Sequence, residues 1–301
     1  MSTSTITIAR RGLGALTARL LDYVELTKPK IAVLVLATVA VAHFVARWGQ
    51  PNPWVLLHAL LGTLLVASSA SALNQWLERD RDALMQRTCQ RPLPSGRLRS
   101  AEVVCFAVVS IVAGLAYLAF MVNLTTALLG LLTWVLYVWI YTPLKSRTSL
   151  NTAVGAVAGA LPVLMGWAAA DTRFDMRAFA LFLIVLLWQF PHFMAIAWIY
   201  RKQYAQSGLK MLTVVDPSGR RAGVQAVLSA LALLLVSLVP ALLMPDSSFY
   251  GLAAFGLGVG QLVCSILFFA RLDDWAARLL LRASLVYLPA LLALLMFVPL
   301  A

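Results

Sequence analysis

Charged side chains are scarce in this sequence. Only 12% of its 301 residues are Asp, Glu, Lys or Arg, whereas 61% are hydrophobic. Soluble domains average roughly a quarter charged and half apolar residues, so this composition excludes an ordinary soluble domain. The loops between the apolar stretches are too short to hold a second domain. We therefore expect one membrane-embedded domain over residues 1–301.

Cysteine is also rare. The three cysteines, Cys89, Cys105 and Cys264, show no paired spacing. A disulfide framework or a thiolate metal site is therefore not what organises this chain.

Long apolar runs are abundant. A helix needs about 20 apolar residues to cross a bilayer. Nine runs approach this length, near residues 31–48, 54–77, 102–121, 124–141, 150–170, 178–199, 223–244, 249–270 and 281–300. The sequence thus predicts an all-α, polytopic membrane protein with about nine transmembrane helices.

The basic residues are distributed unevenly between the two sides of the predicted bundle. The net charge of +12 is compatible with nucleic-acid binding in principle. With a cytosolic N-terminus, however, all 24 basic residues except Arg47, Arg173 and Arg177 lie on the cytosolic side. This bias follows the positive-inside rule. It predicts a cytoplasmic N-terminus, cytosolic loops at 79–101 and 200–222, and no nucleic-acid partner.

The N-terminal segment allows two interpretations. Residues 1–21 contain three Arg, several Ser and Thr and no acid, which is also typical of a transit peptide. The predicted topology favours a short basic cytosolic tail over residues 1–20.

The strongest local pattern lies at the inner end of the second span. Asn74, Glu78 and Asp82 are spaced four residues apart, so their side chains share one helical face. Asp80 lies about 200° around the axis from Glu78 and belongs to another face. Two carboxylates and an amide suit a hard cation such as Mg²⁺, which binds oxygen ligands together with substrate phosphates. The alternative is a charged helix end with local ion pairs to Arg79 and Arg81.

The loop that follows adds candidate anion ligands. Arg87 and Arg91 are placed to reach an anion that is held by metal ions on the carboxylates. Arginine offers a planar fork of donors that fits phosphate oxygens. Cytosolic loops are often rich in arginine, and Arg97 and Arg99 are interpreted in that simpler way.

Together these motifs resemble the UbiA-type intramembrane prenyltransferases. The first signature consists of Asn74, Glu78 and Asp82, followed by Arg87-Thr88 and Arg91-Pro92-Leu93. Four further stretches resemble one branch, the protohaem IX farnesyltransferases: 26–30, 141–151, 155–167 and 188–193. The resemblance runs from about residue 20 to the last span, and the combination is far more specific than any single motif.

The resemblance implies nine helices around a central cavity in a bacterial cell (inner) membrane. It implies transfer of a farnesyl group from farnesyl diphosphate to a vinyl group of haem b, with Mg²⁺ as cofactor and haem O as product for terminal oxidases. A downstream haem-modifying enzyme is an expected partner. Catalysis and Mg²⁺ binding are assigned to Asn74, Glu78 and Asp82. The diphosphate is assigned to Arg87, Arg91, Lys145, Arg201 and Lys202, and the haem cavity to Tyr141 and His192.

The sequence departs from the family after the sixth span. Relatives in the haem branch carry an acidic residue followed by Asp, where this chain has Lys202-Gln203. The Gln203 side-chain carbonyl can bind Mg²⁺ but brings no negative charge. The second metal position is therefore doubtful, and Lys202 is an alternative contact for the diphosphate.

Three other functions remain open at this point. The chain resembles enzymes of the same superfamily whose acceptor is a quinone precursor or a lipid, and the haem-branch motifs argue against these. A transporter is also compatible with proline-broken helices. The acidic signature, however, lies at the membrane edge and not at the midplane. A weakly active homologue would account for Lys202-Gln203.

Overall fold

The structure is a computed structural model of the chain, in which residues 14–243 and 248–297 are described. Residues 1–13, which make up most of the predicted basic tail, lie outside this part of the chain, as do residues 244–247 and 298–301. From Ala15 onward the remainder of the tail forms the first helix.

All regular structure within the described ranges is helical. The helices are α1 (Ala15–Leu26), α2 (Pro29–Ala46), α3 (Pro53–Asp82), α4 (Ser100–Met121), α5 (Leu124–Val135), α6 (Asn151–Ala169), α7 (Met176–Ile199), α8 (Arg201–Gln206), α9 (Leu212–Val215), α10 (Arg220–Ser237), α11 (Val239–Leu243), α12 (Ser248–Arg271) and α13 (Asp274–Phe297). Helix α5 continues as a π-helical segment (Leu136–Tyr141) and one further turn (Thr142–Leu144).

Nine helical segments in the described ranges are long and apolar enough to cross a membrane. They are α2, α3, α4, α5 with its continuation, α6, α7, α10 with α11, α12 and α13. The predicted all-α, polytopic fold is therefore confirmed. Because the spans alternate in direction, α1 and the segments 83–99 and 200–219 lie on one side, which we call the loop face.

Two span boundaries differ from the prediction. Helix α3 continues past residue 77 to Asp82, so the candidate metal ligands are on one unbroken helix. Helix α13 begins at Asp274 instead of near residue 281. Its N-terminus is capped by Asp273, whose carboxylate accepts a 2.7 Å hydrogen bond from the backbone N–H of Ala276. A hydropathy pattern misses this charged first turn because the turn is amphipathic.

Short capped turns join the spans on the opposite face. Asn52 begins α3 by accepting hydrogen bonds from the backbone N–H groups of Trp54 and Val55 at 3.1 and 3.3 Å. Asn123 caps α5, and Asp175 caps α7, in the same way. These side chains satisfy backbone donors that have no partner at a helix start. The turns therefore stay short, and almost all loop length lies on the loop face.

Helix α6 lies at the centre of the bundle. It is the most enclosed of the described spans, because 72% of its 18-residue hydrophobic stretch is buried. Gly166 permits this position, because a Cβ atom there would lie 2.2 Å from the backbone oxygen of Val39 on α2. The neighbouring Trp167 is fully buried in the main core cluster. Close approach of α2 and α6 thus requires glycine at this position.

We predict that Gly166→Ala destabilises the fold. The added methyl group meets a backbone atom, which cannot rotate away, and overpacking of this kind costs about 1–3 kcal/mol. Gly256→Ala in α12 is the matched control, since nothing lies within 4 Å of a Cβ atom there. The measurement is the thermal unfolding midpoint of each purified variant in detergent. Equal midpoints for the two variants would contradict the close packing of α2 on α6.

Candidate active site

Five spans enclose an elongated cavity with a volume of about 340 Å³. Its lining residues come from α2, α3, α5 with its continuation, α6, α7 and the loop-face segments. The volume falls in the range of sites that bind small molecules. Charged residues line the end at the loop face, and mainly apolar or small residues line the rest. We call the charged end of the cavity the head and the remaining, mainly apolar part the shaft. The charged residues of the head are Lys28, Glu78, Asp82, Arg87, Arg91 and Lys145.

One stripe of α3 runs the length of this cavity. Its lining residues are Thr63, Val66, Ala67, Ala70, Ser71, Asn74, Glu78 and Asp82. Successive members lie on one face because helix positions three and four apart are neighbours. At 1.5 Å per residue the stripe is about 28 Å long. Asp80 is not on it: its side chain is 85% exposed and lies 3.6 Å from the Arg79 guanidinium.

The two carboxylates of the stripe are buried and paired with cations. Glu78 Oε1 lies 2.7 Å from Lys145 Nζ, and Asp82 Oδ2 accepts a 2.6 Å hydrogen bond from Arg91. Asp82 is only 1% exposed. Burial lowers the pKa of Lys145, but the Glu78 carboxylate together with Tyr141 and Tyr137 raises it by more, so that pKa lies above its ordinary value. Lys145 is therefore a permanent cation here, and the pairs compensate charges that are costly to bury alone.

Asn74 is oriented by two further polar contacts. Its side-chain oxygen accepts a 2.5 Å hydrogen bond from Lys28, and its amide group donates to the Thr142 hydroxyl at 3.0 Å. Lys28 has a φ of 53°, an uncommon conformation that clusters at functional sites. Burial, helped by the charge of Arg91, lowers the pKa of Lys28 to about 7.

Lys28 was not predicted as a ligand, although it lies in the 26–30 stretch that carries part of the family resemblance, directly before Pro29 at the loop-face start of a span. Tyr204 and Asn151 also line the cavity and were not singled out as ligands. The structure therefore adds a fourth cation to the cavity head.

Aromatic rings hold two of these cations in place. The Arg87 guanidinium lies 4.6 Å from the Tyr200 ring centroid and donates a 3.2 Å hydrogen bond to the Tyr204 hydroxyl. The Lys145 ammonium lies 4.5 Å from the ring centroid of Tyr141. Within the described ranges Arg87 has no carboxylate partner within 4 Å. It is therefore available to an incoming anion.

The oxygen donors of α3 fit a hard divalent cation that is shared with a phosphorylated substrate. No group of three or more His, Cys, Asp or Glu within the described residues could hold a metal by itself. Asn74, Glu78 and Asp82 supply one amide and two carboxylate oxygens on a single stripe. Mg²⁺ commonly binds through one or two carboxylates and completes its shell with water and substrate phosphates. The donor set matches that pattern.

Three predicted site residues lie outside this cavity head. Arg201 donates a 2.8 Å hydrogen bond to Asp274 and lies over the Trp198 ring at 4.3 Å. The side chain of Lys202 is exposed. The side-chain oxygen of Gln203 is buried and has no hydrogen-bond partner in the described structure. These residues are in α8, and none of them lines the cavity wall.

His192 is directed away from the cavity wall. Its Nδ1 lies 2.9 Å from the Ser284 hydroxyl of α13, and its ring stacks on Trp188 with centroids 4.9 Å apart. The cavity residues of α7 are instead Gln189, Phe193 and others on a neighbouring face. Tyr141, the other predicted acceptor residue, does line the cavity.

The chemistry of the cavity suits an amphiphile with a phosphorylated head. Lys28, Arg87, Arg91 and Lys145 gather positive charge around two carboxylates at one end. The shaft behind them is mostly apolar, which suits a hydrocarbon chain. Glu78 and Asp82 are buried at the head, and electrostatic interactions between buried charges are stronger than in water.

Comparison with known proteins agrees with this geometry. Residues 35–299 match the UbiA prenyltransferase family. The protoheme IX farnesyltransferase of Solibacter usitatus is 41% identical over 285 residues, covering 91% of this chain and 97% of that protein. The corresponding protein of Koribacter versatilis is 39% identical and covers 98% of this chain and 97% of its own. The mitochondrial protoheme IX farnesyltransferase of Arabidopsis thaliana is 35% identical, covering 95% of this chain and 66% of that protein.

Solved structures show the same fold at low identity. A digeranylgeranylglyceryl phosphate synthase superimposes with a TM-score of 0.79 at 15% identity, covering 93% of this chain and 98% of that one. A UbiA homolog from Archaeoglobus fulgidus bound to DMAPP and Mg²⁺ gives a TM-score of 0.68 at 16% identity, covering 91% and 99%. The sequence match covers most of the chain, and the fold agrees with it. The chain therefore belongs to the UbiA prenyltransferase family.

Proposed function

We propose that this chain transfers the farnesyl group of farnesyl diphosphate to a vinyl group of haem b, forming haem O. The observation that carries the proposal is the cavity, with four cations and two carboxylates at its head and an apolar shaft behind them. Relatives about 40% identical over nearly their whole length are named protoheme IX farnesyltransferases, which supports haem b as the acceptor.

The head of the cavity favours departure of the diphosphate. The bond between carbon one of the farnesyl group and the diphosphate oxygen breaks, and the oxygen keeps the electron pair. Arg87, Arg91 and Lys145 are fixed donors toward the charge that develops on this leaving group. Asn74, Glu78 and Asp82 would hold Mg²⁺ beside it, and the ion would supply further neutralisation of that charge.

The shaft protects the allylic cation that remains. The π electrons of the haem vinyl group attack carbon one and form the new carbon–carbon bond. Positive charge then lies next to the porphyrin, where water adds and loses a proton to give the hydroxyl group. Tyr141 lines the cavity at the junction of head and shaft and is the residue we assign to acceptor contact. His192 contacts Ser284 of α13 and does not line the cavity, so its contact with the acceptor stays a prediction.

The proposal extends to location and partners. We assign the chain to a bacterial inner membrane, with its N-terminus and loop face in the cytoplasm, and to a partner that modifies haem O further. The basic residues of the loop face support this orientation.

The test is a reconstituted reaction. Purified protein is incubated with haem b, farnesyl diphosphate and Mg²⁺, and both diphosphate release and haem mass are measured. The proposal expects diphosphate release together with a haem that has gained one farnesyl and one hydroxyl group, so that a vinyl group has become a hydroxyethylfarnesyl side chain. Diphosphate release without a heavier haem would reject haem b as the acceptor but keep prenyl transfer. Absence of both would reject the proposal.

The carboxylates of the α3 stripe are expected to be essential. We predict that Glu78→Gln and Asp82→Asn each lower kcat in this reaction by about 100-fold or more, the range for loss of an electrostatic catalytic group. Asp80→Asn is the matched control on the same helix and is expected to stay within about twofold, because Asp80 is exposed and off the stripe. Equal losses for all three variants would indicate a general effect of charge.

Gln203 lies outside the cavity head but next to Tyr204, which lines the cavity, so a second metal position would have to form beside the head. The buried side-chain oxygen of Gln203 has no partner in the described structure, whereas the neighbouring Lys202 is exposed. We predict that Gln203→Asp lowers the Mg²⁺ concentration for half-maximal turnover, because a carboxylate is a stronger ligand than an amide for this ion. Lys202→Ala should leave the Mg²⁺ dependence unchanged. A severe loss for Lys202→Ala, with no gain for Gln203→Asp, would assign the diphosphate contact to Lys202 instead.

Orientation in the membrane is tested with the native cysteines. Cys89 is in the 83–99 segment of the loop face, and Cys264 is within α12. In intact cells carrying a Cys105→Ala, Cys264→Ala variant, an impermeant maleimide should leave Cys89 unlabelled until the membrane is opened. Labelling of Cys89 in intact cells would reverse the assigned orientation.

A further inference from the structure

A second cleft lies outside the cavity, between α7 and α10. Its lining residues are Leu187, Phe190, Arg220, Arg221, Val224, Gln225, Leu228, Ser229 and Ala232. Both residues from α7 are apolar, as are three of the seven from α10, namely Val224, Leu228 and Ala232, and the two arginines lie at the end where α10 begins. None of these residues lines the substrate cavity. The cleft therefore needs an explanation of its own.

The guanidinium groups at the cleft end form no ion pair within the described ranges, although Arg221 lies close enough to Asp216 to interact with its charge. Arg220 and Arg221 are exposed, and within the described ranges neither guanidinium is within 4 Å of a carboxylate. The nearest acidic residue in sequence, Asp216, accepts hydrogen bonds from the Ser218 hydroxyl at 2.6 Å and from the backbone N–H of Arg221 at 2.9 Å. Its carboxylate thus caps the helix start and leaves both guanidinium groups available for an external anion.

An apolar channel begins directly below the arginines. Arg220, Val224 and Leu228 are four residues apart and share one face of α10. Val224 is 43% exposed and Leu228 is 61% exposed, so this face is not covered by protein. From Arg220 to Ala232 the helix rises about 18 Å. One leaflet of a bilayer contributes about 15 Å of hydrocarbon, so the channel matches the depth of a single leaflet.

We propose that this cleft binds one anionic phospholipid of the loop-face leaflet. The lipid phosphate would accept hydrogen bonds from Arg220 and Arg221, and an acyl chain would lie along Val224, Leu228 and Phe190. Arginine is well suited to the phosphate group because its planar fork matches two oxygens. Basic pockets between membrane helices on the cytoplasmic side are known to favour anionic lipid headgroups.

Charge alone does not make such a site. Arg278 and Arg282 are also exposed at the loop-face end of a span, in α13, and have no carboxylate within 4 Å in the described structure. They do not line the cleft. They therefore provide a control with the same net charge change, on the same side of the membrane, without the apolar channel.

The experiment is native mass spectrometry of the detergent-solubilised full-length chain with added phosphatidylglycerol or phosphatidylcholine. The wild-type chain should retain one phosphatidylglycerol in preference to phosphatidylcholine. The double variant Arg220→Gln, Arg221→Gln should bind phosphatidylglycerol about 30-fold more weakly, as expected for two interfacial charges. The double variant Arg278→Gln, Arg282→Gln should bind it as the wild type does.

A third variant tests the apolar channel while both arginines are kept. Val224→Trp fills the channel and keeps both arginines, so it should also lose the bound phosphatidylglycerol. Three results would overturn the proposal: no preference between the two lipids, equal losses in the two arginine variants, or unchanged binding in Val224→Trp. A dimer that disappears in Val224→Trp would also overturn it, because the cleft would then be an interface between two copies of the chain.

Discussion

Pairing of Glu78 with Lys145 and of Asp82 with Arg91 determines how the head of the cavity is built. The two carboxylates lie on α3, Lys145 directly follows the fourth span, and Arg91 belongs to the 83–99 segment. The Glu78–Lys145 pair therefore joins elements that are distant in sequence, whereas the Asp82–Arg91 pair holds the segment that directly follows α3 against that helix. An unpaired charge would be costly at this depth, so the elements that supply the cations are held close to α3. A hydrogen bond from Lys28 to Asn74 also connects the start of α2 to α3.

The same interactions prepare the site for an anion. Without a ligand, the carboxylates and cations neutralise one another, and the head carries a modest net positive charge. On the proposed function, a diphosphate that enters the head would give Arg91 and Lys145 new acceptors, and the oxygens of Glu78 and Asp82 would become free for a divalent cation. Binding of the anion and of the cation should therefore be coupled, and each should raise the affinity for the other by the same factor.

The sequence predicted features that depend on local spacing. Hydropathy located nine spans because a bilayer requires a fixed length of apolar helix. The shared face of Asn74, Glu78 and Asp82 followed from helical periodicity alone. The direction of His192 and the pairing of Arg201 with Asp274 were not predictable in this way. Both depend on how α7 and α8 are rotated against α13, and tertiary packing around Trp188 and Trp198 sets that rotation.

The π-helical segment Leu136–Tyr141 has a consequence for how sequences of this kind should be compared. A π-helical turn places more residues in a turn than an α-helix does, and such turns are frequent at functional sites. The wider π-helical turn takes up one extra residue, so a regular α-helix built from the same residues would rotate everything after it by about 100° relative to α5. Tyr141 and Lys145 would then leave the cavity wall, although the apolar character of the span would hardly change. A relative with one residue fewer here can keep a lysine at this place only by forming a regular α-helix, so a one-residue alignment gap in this span indicates a change of helix geometry that a hydropathy profile would not reveal.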